Sequence, residues 1–175
     1  MESTSNPSTS ATTSSARDFD FFEGTWQVSH RRLKERLAGC TDWEVFAGTS
    51  HVQKTLGGLG NMDDNWIDLP TGAYRALTLR TFDPATQNWS IWWLDGREPG
   101  KLDTPLMGRF EGAQAEFFAD DFLRGQPIKI RFRWDARNPN QPIWAQAFSA
   151  DAGLTWEPNW EMRFSRMGAA AQPRG

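Results

Sequence analysis

One cysteine, two histidines and one tyrosine in 175 residues leave few ways to build a reactive centre. Cys40 has no partner for an internal disulfide, and no CxxC pair or Cys/His cluster offers a zinc-binding pattern, so no metal is expected and a reducing, cytoplasmic address is. The net charge is −3 and no Lys/Arg run is long enough to track phosphates, which argues against nucleic acid and against an anionic membrane surface as partners. No apolar stretch could span a bilayer, and the start lacks the basic and then apolar order of a secretory leader. No phosphate-cradling glycine loop precedes a helix, and no nucleophile and base stand at a diagnostic spacing.

What the chain has instead is tryptophan, ten residues of it. Residues 1–17 are Ser/Thr-rich and too poor in apolar side chains to offset the entropy of ordering, so they read as a disordered segment. Residues 168–175 read as a flexible tail, leaving 18–167 as a single domain. Within it the hydrophobic period is mostly two. Ile128, Ile130, Phe132 and Trp134 form one wholly apolar face, with Lys129, Arg131 and Arg133 on the other. Segments of similar length at 74–80, 89–94, 106–111, 116–120, 144–149 and 159–166, bounded by Gly, Pro, Asp and Asn, bring the count to about nine strands. Residues 18–23 suit one helical turn that plugs a barrel end, and 31–37 suit either a helix or a long first strand.

Gly24-Thr25-Trp26 at the start of the first strand, with Arg163 and Arg166 in the last, is similar to the lipocalin-like barrels, in which a Gly-x-Trp indole at the closed end lies under an arginine of the final strand. Phe19 to Trp26, His30 to Lys34, Gly57 to Asn65, Trp89 to Arg97 and Gln146 to Trp160 extend the resemblance, which is to a bacterial lipocalin-like (calycin-type) family of unknown function. The resemblance implies an all-β fold, an antiparallel up-and-down β-barrel, and carries no assigned chemistry. Members of the family tend to have an acidic residue where this chain has Ala145. Ser149 to Trp156 resembles the Asp-box hairpin, with Asp151 accepting backbone N–H bonds and Gly153 supplying a positive φ; it reads as a turn device joining the last two strands.

Counting by twos from Trp26 places Val28 and His30 on the cavity face, and the same count in the next strand sets His51 with Trp43 and Val45. His30 and His51 are therefore the candidate acid/base residues, and the candidate axial ligands in a haem-binding variant, although no cofactor is expected; hydrogen-bonded packing is the competing reading. Asn61, Asp63, Asp64, Asn65 and Asp68 read as a solvated turn, or as a segment folded over the barrel mouth that presents Asp63 and Asn65 to a ligand. Arg75 and Arg109 are candidate anion-binding residues, whereas Arg131 and Arg133 belong outside. Trp92, Trp144, Gln146, Trp160 and Met162 complete the expected ligand-binding set. The leading function is binding of a small apolar, aromatic or anionic organic molecule in a Trp-lined cavity, by a monomer or homodimer. The alternatives are a small cavity enzyme, a lyase, isomerase or hydrolase acting on an organic acid with His30 as acid or base, and a filled barrel serving as a scaffold.

Overall fold

The computed structural model describes residues 13–168. Ten antiparallel strands follow one another as β1 (Gly24–Leu33), β2 (Trp43–Thr55), β3 (Gly60–Ile67), β4 (Tyr74–Asp83), β5 (Asn88–Asp95), β6 (Leu106–Glu111), β7 (Gln114–Leu123), β8 (Gln126–Asp135), β9 (Ile143–Ser149) and β10 (Glu157–Arg166). Each pairs with its sequence neighbour, and β10 closes on β1 with Trp26 opposite Arg166 and His30 opposite Met162. The protein is thus an all-β, closed, up-and-down barrel. Closure gives every strand a neighbour on both sides, the shortest pairing being the three residues shared by β5 and β6. Among the described residues no helix is long and apolar enough to cross a membrane.

The strand beyond the expected nine is β3. Its period of two is intact, but the buried face carries Asn61, Asp63 and Asn65 before Ile67, so the hydrophobic signal is inverted and the segment resembles a turn. The reading of this stretch as a solvated turn or mouth loop is therefore corrected. Burial of these polar side chains is possible because β2 and β4 supply partners.

The helical turn expected at 18–23 is present as a 3-10 turn, Asp20–Phe22, which drives Phe19 and Phe22 into one end of the barrel. Trp26 lies beneath them, its indole N–H donating to the Phe22 carbonyl at 2.8 Å. Of the two candidate arginines, Arg166 is the one over Trp26, with its guanidinium carbon 4.2 Å from the ring centre; it also donates to the Glu23 and Phe21 carbonyls. Arg163 points outward to Glu161. The ordered region starts earlier than residue 18: Ser14 is buried, hydrogen-bonds Asp18 and accepts from the Phe110 N–H. The expectations for 1–12 and 169–175 lie outside the described residues. Residues 31–33 continue β1, and 34–42 form a loop.

Candidate functional site

The barrel has two unlike ends. At the end closed by the 3-10 turn, Phe19, Phe22, Trp26, Trp89, Phe110, Phe117, Trp134 and Phe164 interlock, many edge to face, as with Phe19 and Trp89 at 4.9 Å and 86°. Phe22, Trp26 and Phe117 retain 0% of their surface. Aromatic side chains this large, packed this way, leave no room for a guest.

A polar belt crosses the middle of β2, β3 and β4. Asp63, 3% exposed, accepts from Ser50 (3.3 Å), Asn65 (2.8 Å) and Thr78 (3.2 Å) and is paired with Arg80, which is 4% exposed. Arg80 also donates to Asn61 at 2.9 Å and lies over the rings of Phe19, Phe22 and Trp134. Removing one partner of such a pair costs about 3–5 kcal/mol, because the other is left buried and unbalanced. Asp63 and Asn65 do face the interior, but they are spent on each other and on Arg80.

Above the belt the interior changes character. His30 stacks on Phe46 (4.8 Å, 10°), and its Nδ1 accepts from the Trp160 indole N–H at 3.3 Å. Its Nε2 side faces Gly48, where an added Cβ would come within 2.6 Å of both that nitrogen and the Trp66 carbonyl. Only glycine fits between them. Burial, helped by the charge of Arg32, lowers the His30 pKa to about 4, so the ring is neutral near pH 7. One step on, Arg32 also turns inward, donating to Glu44 through Nε (3.2 Å) and Nη2 (2.8 Å) and lying over Phe46 and Trp160. Tyr74 is buried nearby, and its phenol is held above its usual range mainly by that burial.

Trp93 and Trp160 meet edge to face at 6.0 Å, and both stay partly exposed, as do Ala119 and Ile130, a facing pair in mid-strand on β7 and β8. All four alternate with outward residues and pack against the core, so they point inward. An inward side chain keeps accessible surface where the interior beside it is unfilled or where the wall beside it is open, as it is at Trp93 and Ala119, past the last β5–β6 and β6–β7 pairs. The mouth half of the barrel is therefore open to solvent, as a hollow beside these side chains. On one side of it the wall is thin, because β5 pairs with β6 over only three residues, Trp89 to Ile91. Beyond them residues 96–105 fill the seam, with Leu102 bridging Leu94 and the Asp103 N–H bonded to the Trp93 carbonyl.

The β1–β2 loop, residues 34–42, lies across this mouth as a strap. Its Leu37 N–H donates to the Glu157 carboxylate of β10 at 2.8 Å, and its Arg36 carbonyl accepts from Arg124 of the β7–β8 turn at 3.2 Å. Leu37 adopts φ 52°, a left-handed conformation that the two anchors hold. Arg36, within the strap, is half-buried. Burial, followed by the charge of Arg32, holds its pKa below the ordinary arginine value.

The candidate residues divide accordingly. Trp160 lines the hollow, Trp144 packs beneath it between Phe132 and Trp160, and Gln146 faces inward but donates to Asn159 at 2.8 Å. Met162 sits in the aromatic core. Four assignments are corrected. His51 is exposed and hydrogen-bonds Thr25, because Phe46, Gly48 and Ser50, rather than Trp43 and Val45, define the inner face of β2. Arg75 is outside, paired with Asp64 and over Trp66. Arg109 is outside on β6, on the rim of an open groove of about 830 Å³ that also holds the Arg133–Glu116 pair. Trp92 is on the outer face next to Leu79, and its neighbour Trp93 is the one that turns in. Ala145 also faces outward, so the acidic residue common at this position in the resembling family would lie outside the interior.

Arg32, Arg36, Glu44, Phe46, Tyr74 and Trp93 are absent from the expected set. Arg32 was within reach, since the alternation that gives Trp26, Val28 and His30 names it next. At the same end, Asp151 accepts from the Thr155 N–H at 2.9 Å and from both Ser149 and Thr155 hydroxyls; these bonds, the Thr155 hydroxyl first, lower its pKa to about 2. The hairpin is a rigid turn at the rim. Compared with models of known protein families and with curated proteins, the chain matches none.

Proposed function

We propose that the protein is a binding module that takes one small organic molecule with a planar, apolar body into the mouth half of the barrel. The observation that carries this is the accessible surface kept by inward-facing Trp93, Ala119, Ile130 and Trp160, in a barrel whose other half is packed solid. Two indoles set edge to face suit a flat guest. Likeness to the lipocalin-like barrels in the Gly-x-Trp and terminal-arginine arrangement supports the same reading.

The His30 environment supports binding over catalysis. A histidine with one nitrogen accepting from Trp160, the other side against Gly48, and a pKa near 4 is a fixed neutral group, poorly matched to proton transfer at neutral pH. The test is titration of the protein with 2-naphthamide, followed by tryptophan fluorescence and native mass spectrometry. One-to-one saturable binding is expected, and Ala119→Trp, which fills the hollow, abolishes it without loss of fold. Binding that survives Ala119→Trp would place the guest elsewhere and defeat the reading.

A further inference from the structure

The outer wall of β6, β7 and β8 leaves large apolar side chains uncovered. Met107 and Phe118 are paired across β6 and β7, are 52% and 45% exposed, and line the open groove of about 830 Å³ on whose rim Arg109 stands. On its other side Phe118 is paired with Arg131 of β8, and it meets Trp156 of the Asp151 hairpin at 6.1 Å and 60°. The Arg131 guanidinium lies over that same indole, 4.5 Å from its centre. Met, Phe, Trp and Arg side by side are the residue types in which the cores of protein interfaces are enriched.

The charges on this wall are unevenly matched. Glu116 is held by Arg133, and Asp120 by Lys129 at 2.6 Å. Arg109, directly across from Glu116, and Arg131 have no carboxylate within ion-pair distance among the described residues. Nε of Arg131 is also buried without a hydrogen-bond partner. Stacking on Trp156 fixes where that guanidinium sits, so a carboxylate coming to it need not order a free side chain. At the far end of the groove the sign reverses. Glu111 stands there with no ion-pair partner among the described residues, and Asp135 is held by Arg137 at 2.5 Å.

We propose that this groove is a docking surface for an extended acidic segment of a partner protein, which sets carboxylates on Arg109 and Arg131 and an apolar side chain between them on Phe118 and Met107. The site lies on the outside of the barrel and does not depend on what the mouth takes in. A small molecule in so open a groove would stay largely in water, whereas a chain segment brings its own cover. The spacing suits an extended chain. Two strand spacings sideways and two residues along put the α-carbons of Arg109 and Arg131 roughly 12 Å apart. In an extended peptide every second side chain shares a face, so an acid, an apolar residue and a second acid at alternate positions span about 13 Å. Glu111 repels an acidic segment from the far end and keeps it at the Phe118 end.

The experiment titrates the isotope-labelled full chain with the peptide acetyl-SDSFSDS-amide and with its uncharged counterpart acetyl-SNSFSNS-amide, following backbone amide shifts. The acidic peptide is expected to move amides of β6, β7 and β8, to leave those of His30 and Trp160 in place, and to bind about fivefold or more tighter than its counterpart at low salt, as two exposed ion pairs allow. Arg109→Gln, at an exposed residue, should reduce that margin with the urea midpoint unchanged, and Arg109→Gln together with Arg131→Gln should erase it. Equal affinities for the two peptides, or a margin that survives both substitutions, would overturn the assignment of an acidic partner. Shifts centred on the mouth, or no binding of either peptide, would overturn the groove as a docking surface. Two results would replace the occupant and so overturn the proposal: tighter binding of 2-naphthoate at the same amides would make it a small molecule, and self-association that moves those amides without peptide would make it a second copy of this chain.

Discussion

The two halves of this barrel use the same strands for opposite ends. Along β1, Trp26 and Val28 meet a wall of phenyl and indole rings, whereas His30 and Arg32, a few ångströms further on, meet a mixture of aromatic and charged groups with space between them. β10 divides in the same way, with Phe164 and Met162 in the packed half and Trp160 at the hollow. The belt centred on Asp63 and Arg80 separates the two. The packed half supplies stability by burying apolar area and needs nothing from solvent. The mouth half holds desolvated polar groups whose cost is offset by partners within it, as with Arg32 and Glu44 or His30 and Trp160.

Substitutions can be arranged to pull that contrast apart. The largest effect is expected at the closed end. Trp26→Ala removes a fully buried indole from the centre of the aromatic cluster and should cost about 3–5 kcal/mol in urea unfolding, with probe affinity at the mouth retained. Loss of binding in proportion to stability would mean that the halves are not independent.

Next is the pH response of the mouth. The folded state holds His30 near pKa 4, below the ordinary 6.5, so as the pH falls through this window the unfolded chain takes up the proton first. Stability from this source is complete above pH 6.5, declines as the pH drops to about 4 and is level below that, with a span of about 3 kcal/mol. His30→Gln should flatten that slope, as read from urea midpoints at a series of pH values. Smaller again is Gly48→Ala, where a methyl group is forced against His30 and the Trp66 carbonyl at a cost of about 1–3 kcal/mol; near-ultraviolet circular dichroism should report the disturbed Phe46–His30–Trp160 stack. The smallest change is expected from Glu157→Ala, which deletes one strap anchor, costs about 0.5–1.5 kcal/mol and should speed 2-naphthamide dissociation while the closed end keeps its amide protection. Unchanged dissociation would show that the strap does not control passage.

The packed half was legible in the sequence and the mouth largely was not, for a physical reason. Strands such as β8, with Ile128, Ile130, Phe132 and Trp134 on one face, announce both their existence and their inner side. β3 buries Asn61, Asp63 and Asn65, so its alternation has the wrong sign for an apolar core, and only the partners on β2 and β4 reveal why. In β5, Trp92 and Trp93 are chemically identical, and the choice between them depends on Trp89 and Ile91 holding the inner face. His51 was misplaced because Trp43 and Val45 look like core residues, yet Val45 is 67% exposed. Arg36 carries no local signal at all. It lies in a loop with no periodicity, and its position depends on Glu157 and Arg124, 120 and 88 residues away from the strap groups they hold.

The pairing of β1 with β10 also bears on how the chain is made. β1 has one neighbour, β2, as soon as a hairpin can form, but its other edge from Trp26 to Arg32 has to wait for Trp160 to Arg166. At ordinary rates of synthesis that wait is on the order of ten seconds, during which Trp26 and Val28 have no closed interior to enter. The side chains that alternate with them are Gln27, Ser29 and Arg31, polar residues that discourage a second nascent chain from adding to the waiting edge. The final strand then brings Arg166 to the carbonyls of Phe21 and Glu23, so the last strand of the barrel to be made is also the one that locks the turn before the first.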